Sequence, residues 1–469
     1  MVVNHLGKLF VTSDTSSILQ EIDVQHPAAK MIMQAMFMQE AECGDGTNYV
    51  IVFAGELLAK AELLLKMGVH TVDVVLGFNM ALAKALELIP ELVVDFPVDL
   101  HSADSIKAAI LPVIAAKQYG YEEHFAGVIA EACAAAMPED PAQFNVDTIR
   151  VAKMVGGSTL DTAVVRGMVV GRRPESTVQS VQNARVAVFA QAIAAQTTET
   201  KGTVLMHNAD ELLGFSKAEE AQMERTIKGI ADSGANVVLT GGKVSDIALH
   251  FLDKYNLLVV KVLSKFQLRR LCKAVGARPL VNLGVPTPDD LGFCADIHVE
   301  EVGSTYVTVF ATEDSAISTI LIRGSTMNLL DDVSRAVDDG VNAVKSMTKD
   351  PRFVPGAGAF EIGLAARIAE YADSHPGVEQ YAIQLGPRRH RRVASLYSAQ
   401  KAGKVAGVDL DSEEVMDPVA NGVVDLAVNK LWALKLSVDV ATTIVSVDEV
   451  VMSRQAGGPK PPQMGARDA

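Results

Sequence analysis

The feature that most constrains the fold is a short turn, Gly44-Asp45-Gly46-Thr47-Asn48, followed at once by a long apolar segment. That segment, residues 49–67, has helical spacing and is apolar nearly all round, which predicts a helix inside a core rather than on a surface. A helix start leaves backbone N–H groups unpaired and carries partial positive charge. Two glycines let a phosphate approach them closely. The turn therefore predicts either an anion site or, more simply, a helix cap made by Asp45 and Thr47.

As an anion site, the turn has partners elsewhere in the chain. Thr47 offers a hydroxyl donor, and Asp45 can hold a Mg²⁺ ion that bridges to phosphate oxygens. A second glycine turn, Gly356-Ala357-Gly358, follows a helix that carries Asp339, and Asp14 lies in a third turn. Splitting a phosphoanhydride needs a phosphate cradle, a metal and a carboxylate that orients water. Asp14 or Asp339 would supply that carboxylate, although a single aspartate is by default a solvated surface charge.

Length and charge exclude several classes of protein. A chain of 469 residues is too long for one ordinary core, so we expect two or three domains. A net charge of −15 argues against a nucleic-acid binder. No segment is long and uncharged enough to span a membrane, and no secretory signal opens the chain. The four cysteines form no CxxC pattern. We therefore expect a cytoplasmic protein with neither nucleic acid nor membrane as partner.

Apolar spacing predicts two kinds of region. Helices are expected at 26–40, 49–67, 71–89, 103–118 and, broken near 137–141, over 120–155. The first 20 residues predict a hairpin with a strand at 9–12 and then a helix from about Ser17. From about residue 200, strands alternate with helices: strands at 203–206, 236–240 and 257–262, and helices at 217–233, 244–254 and 265–275. That alternation predicts a compact α/β domain.

Some local signals in the second half of the chain are specific. Ser216 and Glu219 have the spacing of a capping box, which predicts a helix start at 217. A strand is predicted at 318–322 and another at 442–447, and the Gly/Pro-rich tail from Gly457 predicts disorder. The apolar cluster at 212–215 is either core or an exposed segment that meets a partner.

Two motifs fall short of known enzyme signatures. Leu160 stands where the hydrolase nucleophile elbow needs its last glycine. Gly356-Ala357-Gly358 resembles a dinucleotide fingerprint, but Glu361 stands at the third glycine position and no clear strand precedes the motif. An NAD-dependent oxidoreductase is therefore the more distant alternative.

Seven motifs spread over nearly the whole chain carry a resemblance to a known family. They are VQHPAAK (24–30), GDGTN (44–48), VGGS (155–158) with Asp161, ETKGT (199–203), GANVV (234–238), RGST (323–326) and GGPKPP (457–462). With these motifs the chain resembles the group II chaperonins.

The resemblance implies an α/β fold with a large all-helical part, divided into three domains. A helical equatorial domain would comprise 1–92 and 351–469, and a small intermediate hinge would comprise 93–166 and 312–350. An apical α/β domain would comprise 167–311, with a lid protrusion near 209–226. The 212–215 cluster would then lie in the lid.

The resemblance also implies a function: an ATP-dependent chaperone subunit of a hetero-oligomeric, double-ring cytosolic chaperonin. Its partners would be other chaperonin subunits and unfolded clients such as actin and tubulin, and its cofactors ATP and Mg²⁺. Asp45 would bind Mg²⁺, Asp425 would contact ribose, and Asp14 and Asp339 would orient the attacking water. The remaining nucleotide-binding residues would be Gly44, Gly46, Thr47, Asn48, Gly356 and Gly358.

The chain departs from the family pattern at three places. The family has a further phosphate-wrapping stretch before Met1, and it continues after Ile383 as a long helix where this chain has residues 385–392. Ala357 replaces a glycine, and its methyl group disfavours a backbone with positive φ. These departures keep a second hypothesis open, in which the chain is a non-hydrolysing structural ring subunit or a degenerate chain with an incomplete ATP site.

Overall fold

The computed structural model describes residues 1–4, 7–194, 209–302, 305–312, 317–383, 396–400, 404–409 and 414–451. The strand predicted at 203–206, the ETKGT motif, the segment 385–392 and the tail from Gly457 lie outside these residues. Within them, no helix is both long and apolar enough to cross a membrane.

The helices, in chain order, are α1 Thr15–Glu21, α2 Pro27–Cys43, α3 Thr47–Lys66, α4 Thr71–Leu88, α5 Ala103–Ala115, α6 Glu122–Ala136, α7 Ala209–Asp232, α8 Asp246–Lys254, α9 Lys265–Val275, α10 Met327–Lys349, α11 Ala359–Asp373, α12 Glu379–Ile383 and α13 Ala427–Val445. The strands are β1 Val2–Val3, β2 Leu9–Phe10, β3 Ile149–Val155, β4 Ala163–Val170, β5 Ser180–Phe189, β6 Val237–Thr240, β7 Leu258–Lys261, β8 Pro279–Leu280, β9 Gly292–Val302, β10 Thr305–Ala311, β11 Ser318–Gly324, β12 Phe353–Pro355, β13 Gly407–Val408, β14 Val415–Met416 and β15 Val424–Leu426.

The two ends of the chain pack together as a helical layer. Helices α2, α3 and α13 contact one another, and α4 contacts α11, α12 and α13. The apolar face of α3 is buried through Val50, Ala54, Leu57 and neighbouring residues. Its opposite face exposes Val52 (65%) and Leu63 (51%), so the prediction of a helix inside a core rather than on a surface is wrong for this face. Apolar spacing predicts the helix correctly, but burial also needs a neighbour on every side, and within the described residues this outer face is not covered.

The middle of the chain forms a mixed sheet in the order β3-β11-β4-β10-β9-β5-β6-β7, with β8 beside β5. Strands β5, β6 and β7 are parallel, and the pairs β5–β9, β9–β10 and β10–β4 are antiparallel. Helices α7 and α8 pack on one face of β5–β7, and α9 packs on the other. The alternation of strands and helices thus does form an α/β unit, as predicted.

A third layer joins these two parts. Helices α5, α6 and α10 pack on β3 and β11 around Ile110, Phe125, Ile129 and Val337. The same core reaches Phe353 and the strand β15, which belong to the C-terminal helical region. Helix α10 therefore connects the sheet to the helical layer.

Four local predictions are corrected. The helix predicted to reach residue 155 ends at Ala136, and residues 149–155 form β3, because they pair in parallel with the distant β11. Residues 442–445 continue α13 rather than form a strand, since packing against α2 and α3 overrides their β-branched side chains. Helix α7 begins at Ala209, so Ser216 lies inside the helix and not at its start. A short strand, β12, does precede Gly356, paired with β15. The predicted N-terminal hairpin is present as β1 and β2.

Candidate functional site

The glycine turn at 44–48 links α2 to α3 without a side-chain cap. Gly44 ends α2 with a left-handed backbone (φ 70°), and Gly46 (φ 82°) is the N-cap residue of α3, where no side chain accepts a hydrogen bond. The alternative in which Asp45 and Thr47 merely cap the helix is therefore wrong. The first turn of α3 keeps backbone N–H groups without a side-chain partner, as an anion site requires.

Two residues from other helices hold this turn in place. The Gln39 amide on α2 donates to the Asp45 carbonyl oxygen (2.9 Å) and to the Asn429 carbonyl oxygen (3.2 Å). A Cβ atom at Gly44 would collide with the Asn342 side chain of α10, so only glycine permits this approach. The sequence gives no signal for Gln39, because a glutamine within an apolar helix is not distinctive.

Lys117 brings together carboxylates from distant segments. Its Nζ atom pairs with Asp339 Oδ2 on α10 and lies 3.6 Å from Asp14 Oδ1 at the start of α1. All three side chains are at most 15% exposed. Lys117 also interacts electrostatically with Asp45. Sequence reasoning missed Lys117, since nothing in its local sequence shows that three aspartates converge on it.

This environment shifts the pKa values of the three carboxyl groups in different directions. Burial opposes ionisation of Asp14, but hydrogen bonds from the Ser17 hydroxyl (2.7 Å) and N–H (3.0 Å), together with Lys117, bring its pKa below the usual value. Burial raises the pKa of Asp339 to about 7 despite Lys117, and Asp45 and Asp14 add to the rise. Burial also raises the pKa of Asp45, against the opposing effects of Lys117 and the Gly46 N–H. The cluster thus holds more negative charge than one lysine neutralises.

The second glycine turn lies beside Asp425. Val354 pairs with Asp425 between β12 and β15, and the Gly356 N–H donates to the Val423 carbonyl oxygen (3.0 Å). Gly358 (φ 77°) is the N-cap residue of α11 and, like Gly46, lacks a side-chain cap. Ala357 adopts φ 53°, the left-handed backbone that its methyl group disfavours.

A second buried lysine fixes this side of the site. Lys430 Nζ lies 2.6 Å from Glu361 Oε1, 3.1 Å from Asp425 Oδ2 and 4.7 Å from the centre of the Tyr49 ring. Burial lowers the Lys430 pKa, but Glu361 and Asp425 outweigh it, so the net direction is upward. Asp425 also acts on the pKa of Asp45, so the two glycine turns share one electrostatic environment.

All the predicted site residues lie in this region. Asp14, Asp45 and Asp339 surround Lys117, Gly44 and Gly46 shape the first turn, and Gly356, Gly358 and Asp425 form the second. Thr47 is buried as the first residue of α3, and Asn48 is exposed on the same turn.

The donor chemistry suits a magnesium ion carried by a phosphate. In the described parts of the chain, no three His, Cys, Asp or Glu side chains form a complete metal cage. Magnesium commonly uses one or two carboxylates and takes its other ligands from phosphates and water. Asp45, a carboxylate in a cluster with excess negative charge, fits that role.

The fold is that of a chaperonin: a helical layer built from both chain ends, a connecting layer and an α/β part. The chain belongs to the TCP-1/cpn60 chaperonin family, whose sequence model matches residues 1–385 and 386–455. This finding confirms the fold class and the chaperone function predicted from the motifs.

Several curated relatives carry the name "T-complex protein 1 subunit theta". The relative from Gallus gallus is 47% identical over 489 positions, covering 100% of this chain and 89% of its own length. The relatives from Dictyostelium discoideum and Homo sapiens are 44% and 46% identical, covering 100% of this chain and 91% and 89% of their own lengths.

Proposed function

We propose that the chain is an ATP-binding and ATP-hydrolysing subunit of a hetero-oligomeric double-ring chaperonin in the cytoplasm. The observation that carries the proposal is the cluster at Lys117, where Asp14, Asp45 and Asp339 converge from three distant segments beside a glycine turn. A site that places carboxylates, an uncapped helix start and a lysine together contains the parts that phosphoanhydride hydrolysis needs.

Each predicted residue has a role in this proposal. The N–H groups at the starts of α3 and α11, with Gly44, Gly46, Thr47, Asn48, Gly356 and Gly358, bind the nucleotide. Asp45 holds Mg²⁺, which when bound neutralises phosphate charge. Asp425 contacts the ribose, and Lys430 holds its carboxylate in place. Asp14 and Asp339 orient the attacking water, and Lys117 keeps both within reach of it.

The domain boundaries given above remain part of this proposal: equatorial 1–92 and 351–469, intermediate 93–166 and 312–350, apical 167–311. Asp339 lies on α10, in the proposed hinge, whereas Asp45 lies in the proposed equatorial domain. Hinge motion would then change the contact of Asp339 with Lys117 and couple lid closure to hydrolysis.

Exposed apolar residues support the proposed partners. On the helical layer, Val52, Leu63, Met67, Val72 and Leu76 are all at least 46% exposed, which is typical of surfaces that meet another subunit. On the α/β part, Leu263 and Phe266 are more than half exposed at and just before the start of α9. Such a surface suits unfolded clients, for which actin and tubulin are our candidates.

One observation favours the alternative of a non-hydrolysing structural subunit. A pKa of about 7 leaves much of Asp339 protonated near neutral pH, and a protonated carboxyl group cannot accept a proton from water.

The substitution Asp339→Ala in assembled rings distinguishes a hydrolysing subunit from a non-hydrolysing structural one. We expect ATP binding at this subunit to persist and its hydrolysis to fall about 100-fold or more, because a general base or water-orienting group contributes that order of rate. The matched control is Asp331→Ala, on the same helix but paired with Lys153. Unchanged turnover at this subunit in Asp339→Ala rings would reject the catalytic assignment. A parent ring in which this subunit binds ATP without hydrolysing it would establish the structural alternative.

A further inference from the structure

Helix α10 contacts the first glycine turn in addition to supplying Asp339. Asn342 lies against Gly44, where an added Cβ atom would collide with it, and the Ser346 hydroxyl donates to the Cys43 carbonyl oxygen (3.3 Å). Cys43 is the last residue of α2, and Gly44 ends that helix with a φ of 70°. The last carbonyl groups of a helix have no partner within the helix, so Ser346 supplies one for Cys43 from a distant segment.

Asp339, Asn342 and Ser346 share one face of α10. Their successive spacings of three and four residues place the side chains one above another on a helix. Residues seven apart are separated by about 10 Å along the helix axis. One face of a single helix therefore contacts Lys117 through Asp339 and the end of α2 through Asn342 and Ser346.

The turn also has a support that does not involve α10. The Gln39 amide donates to the Asp45 carbonyl oxygen, and Gln39 belongs to α2, the helix that leads into the turn. A displacement of α10 would leave that hydrogen bond in place and would remove the contacts at Cys43 and Gly44. The turn is thus held on one side by its own helix and on the other side by α10.

We propose that Asn342 and Ser346 are positioning residues for the metal site: they hold the backbone at 43–44 and so fix where Asp45, the next residue, presents its carboxylate. This inference rests on the proposed function, in which Asp45 holds Mg²⁺. Groups that hold a metal ligand in place commonly contribute roughly 10- to 100-fold to metal affinity. Because the same helix carries Asp339, the docking of α10 sets the positions of the metal ligand and the water-orienting carboxylate together.

The test measures the binding of fluorescent mant-ATP to the full chain with and without Mg²⁺, and the ratio of the two Kd values is the Mg²⁺ effect. We expect Ser346→Ala to reduce the Mg²⁺ effect about tenfold, with little change in the affinity for ATP without Mg²⁺. Thr348→Val is the matched control on the same helix. The Thr348 hydroxyl donates to the Lys345 carbonyl oxygen within α10 (2.8 Å), so its loss should leave the Mg²⁺ effect unchanged.

A pair of substitutions tests the contact between Gly44 and Asn342. Gly44→Ala should push α10 away from the turn and reduce the Mg²⁺ effect about tenfold or more. Asn342→Gly makes room for the added methyl group, so the double variant should show a Mg²⁺ effect about threefold or more above that of Gly44→Ala. The strain of alanine in a left-handed backbone is the same in both variants, so the recovery measures the contact with α10 alone.

Three results would overturn the inference: Ser346→Ala behaves as Thr348→Val does, Ser346→Ala weakens ATP binding equally with and without Mg²⁺, or Asn342→Gly fails to improve Gly44→Ala. In each case, loss of the Mg²⁺ effect in Asp45→Asn would still support the proposed function. A parent chain without a Mg²⁺ effect would reject the proposed role of Asp45 and this inference with it. If Gly44→Ala does not fold, Ser346→Ala, which removes a single hydroxyl group, decides the question.

Discussion

Asp45 interacts with two buried lysines, Lys117 and Lys430, and the surroundings of these lysines differ. Their side chains are equally buried, 15% and 16% exposed. The carboxylates around Lys117 are only 10% and 14% exposed, whereas Glu361 and Asp425 around Lys430 are 31% and 38% exposed. Water can therefore solvate Glu361 and Asp425 but hardly Asp14 and Asp339.

This difference predicts that the two clusters respond differently to protons and cations. Near Lys117, burial raises the pKa values of Asp339 and Asp45, because one lysine faces three carboxylates. A proton or a divalent cation relieves that excess charge. Near Lys430, two partly solvated carboxylates and the Tyr49 ring surround the ammonium group. The first cluster should respond to pH and Mg²⁺, and the second should mainly support the fold.

The largest expected effect is the pH dependence of stability in Asp339→Asn. The folded-state pKa of Asp339, about 7, lies above the ordinary aspartate value of 3.8, so the folded chain binds this proton more tightly than the unfolded chain. The parent should therefore lose stability relative to the variant as pH rises from about 4 to 7, by up to roughly 1.4 kcal/mol per pH unit. Urea unfolding at pH 5, 6, 7 and 8 measures the difference. A constant difference across this range would contradict the proposed excess charge at Lys117.

The second-largest effect is expected when the proposed metal ligand is removed. We expect Asp45→Asn to reduce ATP affinity in the presence of Mg²⁺ by about 10- to 100-fold, or about 1.4 to 2.8 kcal/mol. Chelation of Mg²⁺ should weaken the parent to a similar level and change the variant little. Isothermal titration with and without EDTA gives both values, and an equally strong Mg²⁺ effect in parent and variant would exclude Asp45 as the ligand.

Lys430→Met should have a smaller effect. It should lower the free energy of unfolding by an amount that does not change between pH 5 and pH 8. The substitution removes two ion pairs and the contact with the Tyr49 ring, but the carboxylates left behind can reach water. We therefore expect a loss of about 1–2 kcal/mol, between the values typical of exposed and buried pairs. The Lys430 pKa is raised, so its contribution is complete below pH 10 and the loss should be equal at pH 5 and pH 8.

The smallest effect is expected for Ala357→Gly in the second glycine turn. Left-handed backbone costs alanine about 1–2 kcal/mol, but glycine adds about 0.4–1 kcal/mol of unfolded-state entropy. The net gain should be about 0.5 kcal/mol, seen as a small rise in Tm. A clear loss of stability would show that contacts of the alanine methyl group outweigh the strain.

The particular residues show what kinds of structure the sequence predicts well. For helices with strong apolar spacing, the predicted bounds lie close to those in the structure, and α9 lies at 265–275 as predicted. Strand β3 was missed because its partner β11 lies about 170 residues later. The glycine turns are predictable because a turn with a positive φ angle favours glycine, which is visible in the local sequence. Lys117 and Gln39 were missed because their roles depend only on which distant groups surround them.

The sequence alone determined the turns, most helices and the family, since these depend on local backbone chemistry and on motifs read along the chain. Only the tertiary structure decided that Asp14, Asp45 and Asp339 share one lysine. Electrostatic interactions depend on distances through space. Those distances are fixed only when segments hundreds of residues apart pack together.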